Sequence, residues 1–170
     1  VKGLSSEPKI DDKFVKEAMA EMEAPFLIKD GKNPYDVHKE LNKIMSTYVG
    51  IFREEAELAT GVAKLEELKA EVEKAGAKGT KAFNPGWHMC RDLKNMMICS
   101  EAIARSALSR HESRGAHSRL DYPNTEKAWG TKNSACSKGP DGKMVLEHTP
   151  LPEMPAELQD LFVKKEPANA

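Results

Sequence analysis

Twice in this chain an Asn-Pro pair stands directly before a long run with helical period, and no other feature limits the fold so strongly. At Asn33-Pro34 the asparagine supplies an N-cap oxygen, and proline fills the first helical position, where its missing N–H costs nothing. The run that follows sets Val37, Leu41, Ile44, Met45, Tyr48, Val49 and Phe52 on one stripe, with Gly50 marking its end. A second run, from about Arg53 to Ala75, places Leu58, Val62, Leu65, Leu68 and Val72 opposite a Glu/Lys face. After the loop GAKGTKAFNPG, Asn84-Pro85 repeats the start signal, and a third run to about Arg110 carries Leu93, Met96, Met97, Ala102, Ile103, Ala107 and Leu108. Long helices with short connections predict a mainly α chain: an antiparallel three-helix bundle over residues 33–119, in the manner of a spectrin repeat. Its expected core is Leu41, Ile44, Met45, Leu65, Leu93, Met97, Ile103 and Leu108.

The flanks are smaller. Residues 1–32 predict a short helix and linker: in IDDKFVKEAMAEMEA the residues Ile10, Phe14, Ala18 and Met22 recur at a four-residue step, Pro25 ends the run, and Lys29-Asp30-Gly31-Lys32 is a turn. Residues 120–170 begin as a polar loop. The turn GPDGK between NSACSK and KMVLEH then predicts a short β-hairpin, with Asp-Gly suited to positive φ. A proline-bearing, extended tail follows, with one helical turn from Ala156 to Phe162. Internal repeats and low-complexity tracts are absent from the sequence.

A chain of 170 residues, 39% of them hydrophobic, fills one modest core. Its 26 basic and 27 acidic side chains leave a net charge of -1, which gives no overall attraction to nucleic acid or an acidic membrane. The three cysteines, Cys90, Cys99 and Cys136, form no CxxC pair and suit a reducing compartment, so a cytoplasmic or cytoplasm-facing location is expected. There is no apolar window of the roughly 20 residues that spanning a bilayer requires, and no signal peptide. The chain opens on Val1 and the polar stretch VKGLSSEPK, from which a piece of a longer protein is expected.

Chemistry concentrates in residues 109–123, SRHESRGAHSRLDYP. Arg105, Arg110, Arg114 and Arg119 crowd the end of the third helix, where cations complement the negative pole of the helix, and Gly115 stands where a left-handed residue is wanted. One reading is a helix stop held by arginine–carboxylate pairs to Glu112 and Asp121; the other is a docking surface for an anion or a protein. His88, Cys90, His111 and His117 have no metal-site spacing, and a zinc site is not expected. Met89, Met96 and Met97 read as core filler, and Trp87 and Trp129 as packing anchors. Neither GxGxxG nor GxxxxGK[ST] occurs, and Ser113 near His117 does not amount to a nucleophile with its base.

RHESRGAHSRLDYP resembles the signature R-x-E-S-R-G-A-H-x-R-x-D-[YF]-P of the succinate dehydrogenase and fumarate reductase flavoprotein family. Arg110, Glu112, Ser113, Arg114, Gly115, Ala116, His117, Arg119, Asp121, Tyr122 and Pro123 stand at its positions. MSTYVGIFRE, the helix LKNMMICSEAIARSALS, and Trp129 with the hairpin turn are similar to the family as well, so the likeness runs from about Asn33 to about Pro152. Gly130 to Asn133 departs from it, since several relatives carry a histidine after the tryptophan. The resemblance implies the C-terminal helical domain of an FAD-dependent oxidoreductase that interconverts succinate and fumarate. The flavin-binding and capping domains, with their catalytic residues, would lie elsewhere in that enzyme, so catalytic, cofactor and metal sites are not expected here, and this chain alone should be inactive. An iron–sulfur subunit is the implied partner, with no nucleic acid and no direct membrane insertion. The location would be the cytoplasm, or the cytoplasmic face of the inner membrane through partner subunits. L-aspartate oxidase shares the signature and is one alternative; a free-standing helical binding module is another. On this reading Arg110, Glu112, Ser113, Arg114, Gly115, His117, Arg119 and Asp121 form a joint in which Gly115 and Glu112 serve the local turn while Arg114, His117 and Arg119 face the neighbouring domains.

Overall fold

The computed structural model describes residues 9–159. Both Asn-Pro signals open helices. Asn33 Oδ1 accepts from the Tyr35 amide at 3.0 Å and starts α2 (Pro34–Tyr48), while Asn84 Oδ1 accepts from the Trp87 amide at 2.9 Å and starts α4 (Pro85–Ser109). Between them lies α3 (Glu55–Val72), and before them α1 (Asp12–Leu27), capped by Asp11.

The helices α2, α3 and α4 pack on one another in an up-down-up bundle. Its core joins Val37, Leu41 and Ile44 of α2, Leu58, Leu65, Leu68 and Val72 of α3, and Leu93, Met97, Ala104 and Ala107 of α4. Of the predicted core, Leu41, Ile44, Leu65, Leu93 and Met97 are buried, and Met45 and Leu108 lie half-buried against them. Ile103 is a correction, being 50% exposed. The inward stripe of α4 continues from Met97 through Ser100, Glu101, Ala104 and Ala107, so polar side chains occupy positions that an apolar reading passes over. Glu101 tolerates burial because Lys69 Nζ stands 2.6 Å and Arg105 Nε 2.7 Å from its carboxylate.

Another correction concerns Pro25, which sits buried inside α1 rather than ending the helix. The Glu21 carbonyl, left without the amide a proline lacks, faces Arg91 Nη1 at 3.5 Å. The apolar stripe of α1 is also exposed at Phe14, Met19 and Met22, as is Ile10 just before the helix.

After α4, the hairpin forms as predicted. Strands β3 (Lys132–Lys138) and β4 (Met144–Pro150) pair antiparallel, with Cys136 opposite Leu146 and Gly142 at φ 80° in the turn. A two-residue parallel pair, β1 (Phe52–Arg53) with β2 (Ser118–Arg119), was not legible in the sequence. Ala156–Gln159 forms a short α5; the rest of the helical turn expected up to Phe162 lies outside the described residues.

Candidate functional site

At one end of the bundle the C-termini of α2 and α4 meet the N-terminus of α3, and the signature residues fill that junction. The last carbonyls of α4 have no partners within the helix. Arg119 Nη1 supplies them, donating to the carbonyls of Ala107 at 3.0 Å, Leu108 at 3.2 Å and Arg110 at 3.4 Å. The other edge of the guanidinium grips Asp121, Nε to Oδ1 at 2.7 Å and Nη2 to Oδ2 at 2.6 Å. Asp121 Oδ2 in turn accepts the Glu55 amide at 2.9 Å, in the first turn of α3, whose own N-cap Glu54 makes no side-chain bond. One ion pair therefore places its cation at a helix C-terminus and its anion at a helix N-terminus, the favourable sense at both poles. Bonded foremost to Arg119, the Asp121 carboxyl is held down to about 2.

Arg53 does the same for α2. Its Nε donates to the Gly50 carbonyl at 2.8 Å and its Nη1 to His117 Nδ1 at 2.9 Å. His117 Nε2 lies 3.1 Å from the Arg110 carbonyl, so these bonds assign the proton to Nε2 and leave the ring neutral. Burial, and after it Arg53, Arg119 and Arg110, push the histidine below its usual range against the pull of that carbonyl.

Glu112 is wholly buried. It accepts from Arg110 Nε at 2.8 Å, Arg114 Nε at 2.9 Å and the Glu126 amide at 2.8 Å, and these bonds, that of Arg114 first, hold its carboxyl at about 2. Arg114 and His117 exchange backbone hydrogen bonds of 2.8 and 3.0 Å across a tight turn, in which Gly115 has φ 58°. That value is open to glycine and strained for most residues. The Ser113 hydroxyl donates to the Tyr122 carbonyl at 2.9 Å and accepts the Arg119 amide at 2.8 Å.

The junction thus gathers all eight residues assigned to the joint, but not in the arrangement the sequence suggested. Arg119 does not face outward: it is 1% exposed, and its partners belong to this chain. His117 is half-buried, both ring nitrogens engaged; of the three side chains expected to face outward only Arg114, with 41% of its side chain exposed, reaches the surface, beside Gly115, Ala116 and Asp121. Sequence reasoning missed Arg53, the Glu55 and Glu126 amides, and the apolar rim of Ile51, Phe52 and Leu120, exposed by 74, 67 and 56%. The residues Ile51-Phe52-Arg53 belong to the likeness, yet no local pattern in them announces a pairing with residues 118–119.

Chemically the junction is saturated. The hydroxyl of Ser113 and both nitrogens of His117 are committed to structural bonds, and among the described residues no three of His, Cys, Asp and Glu gather as a metal-sized group. Two clefts of about 480 and 470 Å³ lie elsewhere, one beside the starts of α2 and α4, the other between α4 and the hairpin. A dinucleotide needs a glycine-rich turn from strand to helix. Both cleft-side helix starts are instead Asn-Pro caps with their asparagine oxygens in use, and the described residues do not fit FAD.

The family model for the fumarate reductase flavoprotein C-terminal region matches residues 38–165. The chain belongs to that family. The chain is similar to the succinate dehydrogenase flavoprotein subunit of Coxiella burnetii, 39% identical over 98 residues, covering 57% of this chain and 17% of that protein. L-aspartate oxidase 2-b of Nicotiana tabacum is 37% identical over 99 residues, covering 55% of this chain and 14% of its own length. Among solved structures, Mycobacterium smegmatis Sdh1 in complex with UQ1 superposes with a TM-score of 0.86 at 35% identity, over 96% of this chain and 28% of that one. The chain spans less than a fifth of the curated relatives named here and less than a third of the solved structure.

Proposed function

We propose that this chain is the C-terminal helical part of an FAD-dependent flavoprotein that interconverts succinate and fumarate, with a structural and docking role. The observation that carries this is the match of the family's C-terminal region to residues 38–165, joined to a signature network whose polar groups are satisfied internally. Flavin chemistry would then belong to the flavin-binding and capping parts of the longer protein, and an iron–sulfur subunit would take its electrons. Within the signature, Arg110, Glu112, Ser113, His117, Arg119 and Asp121 hold the frame. The exposed turn Arg114-Gly115-Ala116, with Ile51, Phe52 and Leu120 beside it, is the face offered to the other domains. Residues 1–32, 33–119 and 120–170 divide accordingly into an entry helix, the bundle, and the loop with its hairpin and tail. No helix among the described residues is long and apolar enough to cross a membrane, so contact with a bilayer would pass through partner subunits at its cytoplasmic face.

L-aspartate oxidase is the second reading, since its sequence match is nearly as extensive as that of the Coxiella subunit. The likeness to Sdh1 over 96% of the chain favours the dehydrogenase or reductase. Purified full-length protein decides: we expect a flavin absorbance band and succinate-dependent reduction of an artificial acceptor. Aspartate-dependent peroxide formation without succinate oxidation would overturn that reading in favour of the oxidase.

A further inference from the structure

The second half of α1 is fastened to the bundle. Trp87 Nε1 donates to the Met22 carbonyl at 2.6 Å, Arg91 pairs with Glu21 at 2.9 Å, and Lys81 pairs with Glu23 at 2.6 Å. The first half is not. Ile10, just before the helix, and Phe14, Val15 and Met19 within it are exposed by 75, 67, 44 and 59%; Phe14, Val15, Ala18, Met19 and Met22 lie on one side of the helix, while Lys13, Lys16 and Glu17 lie on the other. Aromatic, methionine and branched aliphatic side chains without a charge among them have the composition of an interface core rather than of a free surface. Two helical turns without packing are also marginal in water, because the backbone order they require is repaid mainly by burial of the apolar face.

We infer that the exposed apolar face of α1 is a docking arm, covered by the part of the same protein chain that precedes it. This rests on the flavoprotein reading above. The family region begins at residue 38 and is by description C-terminal, so in the relatives the remaining chain, 72% or more of their length, lies chiefly before the segment that α1 opens. The superposition on Sdh1 omits only 4% of this chain, too little to exclude the 16 residues of α1, so the aligned segment takes in the arm in a protein that carries the extra chain. An arm held at its far end by Trp87 and Arg91, with its apolar side bare, connects the bundle to whatever stands immediately upstream.

Hydrogen exchange of the full-length protein tests this. With flavin bound, amides of residues 14–20 should exchange at least about 100-fold more slowly than an unprotected chain, as for a packed helix. Phe14→Glu should abolish that protection while flavin stays bound and the bundle amides of α3 remain slow. Exchange within about tenfold of the unprotected rate in the flavin-containing wild type overturns the inference and leaves the flavoprotein reading intact. Protection that grows with protein concentration, alongside a doubled mass by light scattering, would assign the face to a second copy and also overturns it. Full-length protein that purifies without flavin would refute the underlying reading, and the arm's assignment with it.

Discussion

Arg119 has no water to turn to: its guanidinium is enclosed by three helix-end carbonyls, the Asp121 carboxylate and the Tyr122 ring 4.8 Å away. Removing it strands a carboxylate and uncaps α4 together. We expect Arg119→Ala to cost at least about 1.5–3 kcal/mol in urea unfolding, the range for losing one hydrogen bond to a charged group. Arg119→Lys should recover only part of this, since one ammonium cannot grip Asp121 with two prongs and still reach the carbonyls. Arg114→Ala should cost less than Arg119→Ala, because Arg110 and the Glu126 amide still hold Glu112. Equal losses for the two alanine variants would contradict this ranking. The carboxylates that pair with the arginines, Glu112 and Asp121, were readable from local spacing. Which arginine turns inward was not, because that depends on α3 beginning where α4 ends, a meeting of residues 55 and 121 that no local pattern encodes.

At the scale of elements, the apolar period of α3 runs unbroken through a glycine that the period itself does not explain. Gly61 is buried, and a Cβ there would stand 2.9 Å from Tyr48 Cβ and 3.2 Å from Val49 Cγ2, where the end of α2 crosses α3. Alanine ordinarily favours a helix by about 1 kcal/mol over glycine. At this crossing the clash falls on a β-carbon close to the backbone, so Gly61→Ala should lower the melting temperature despite its better propensity. The hairpin depends on a different contact. The Arg110 guanidinium and the Lys132 ammonium stand over the Trp129 ring, 5.4 and 5.7 Å from its centre, and the Trp129 carbonyl accepts from Arg110 Nη2 at 3.1 Å. Two cation–π contacts at about 0.5–1 kcal/mol each amount to roughly tenfold in an opening equilibrium. Trp129→Ala should therefore speed amide exchange in β3 and β4 by about that factor, leaving α3 and α4 unchanged. Turn chemistry made the hairpin itself legible, whereas the true phase of α4 was hidden by Glu101, a charge that only Lys69 and Arg105 make tolerable inside.

Over the whole molecule, the bundle shares its polar junction among three helix ends, so protons that disturb the junction should be felt as global stability. Glu112 and Asp121 are both held at about 2 in the folded chain, against ordinary values of 4.5 and 3.8. A carboxyl depressed by folding contributes stability that is complete above its unfolded value and is lost as pH falls toward its folded one, so this component should fade between about pH 4.5 and 2. His117 acts in the same direction at higher pH. Its folded value lies below the ordinary 6.5, so the unfolded chain takes up the proton first, and stability should already decline as pH drops below about 6.5. Arg53 bonds the ring and the charges of Arg119 and Arg110 act on it as well, and none of them can be given up to accommodate a second cation. Urea midpoints should accordingly be flat above about pH 7, fall gently through pH 6 and steeply below about 4.5. In His117→Gln, which cannot titrate, the gentle limb should vanish while the steep one remains. A wild type whose stability stays level from pH 7 to 5 would show that the buried ring bonded to Arg53 is not held neutral in the folded chain.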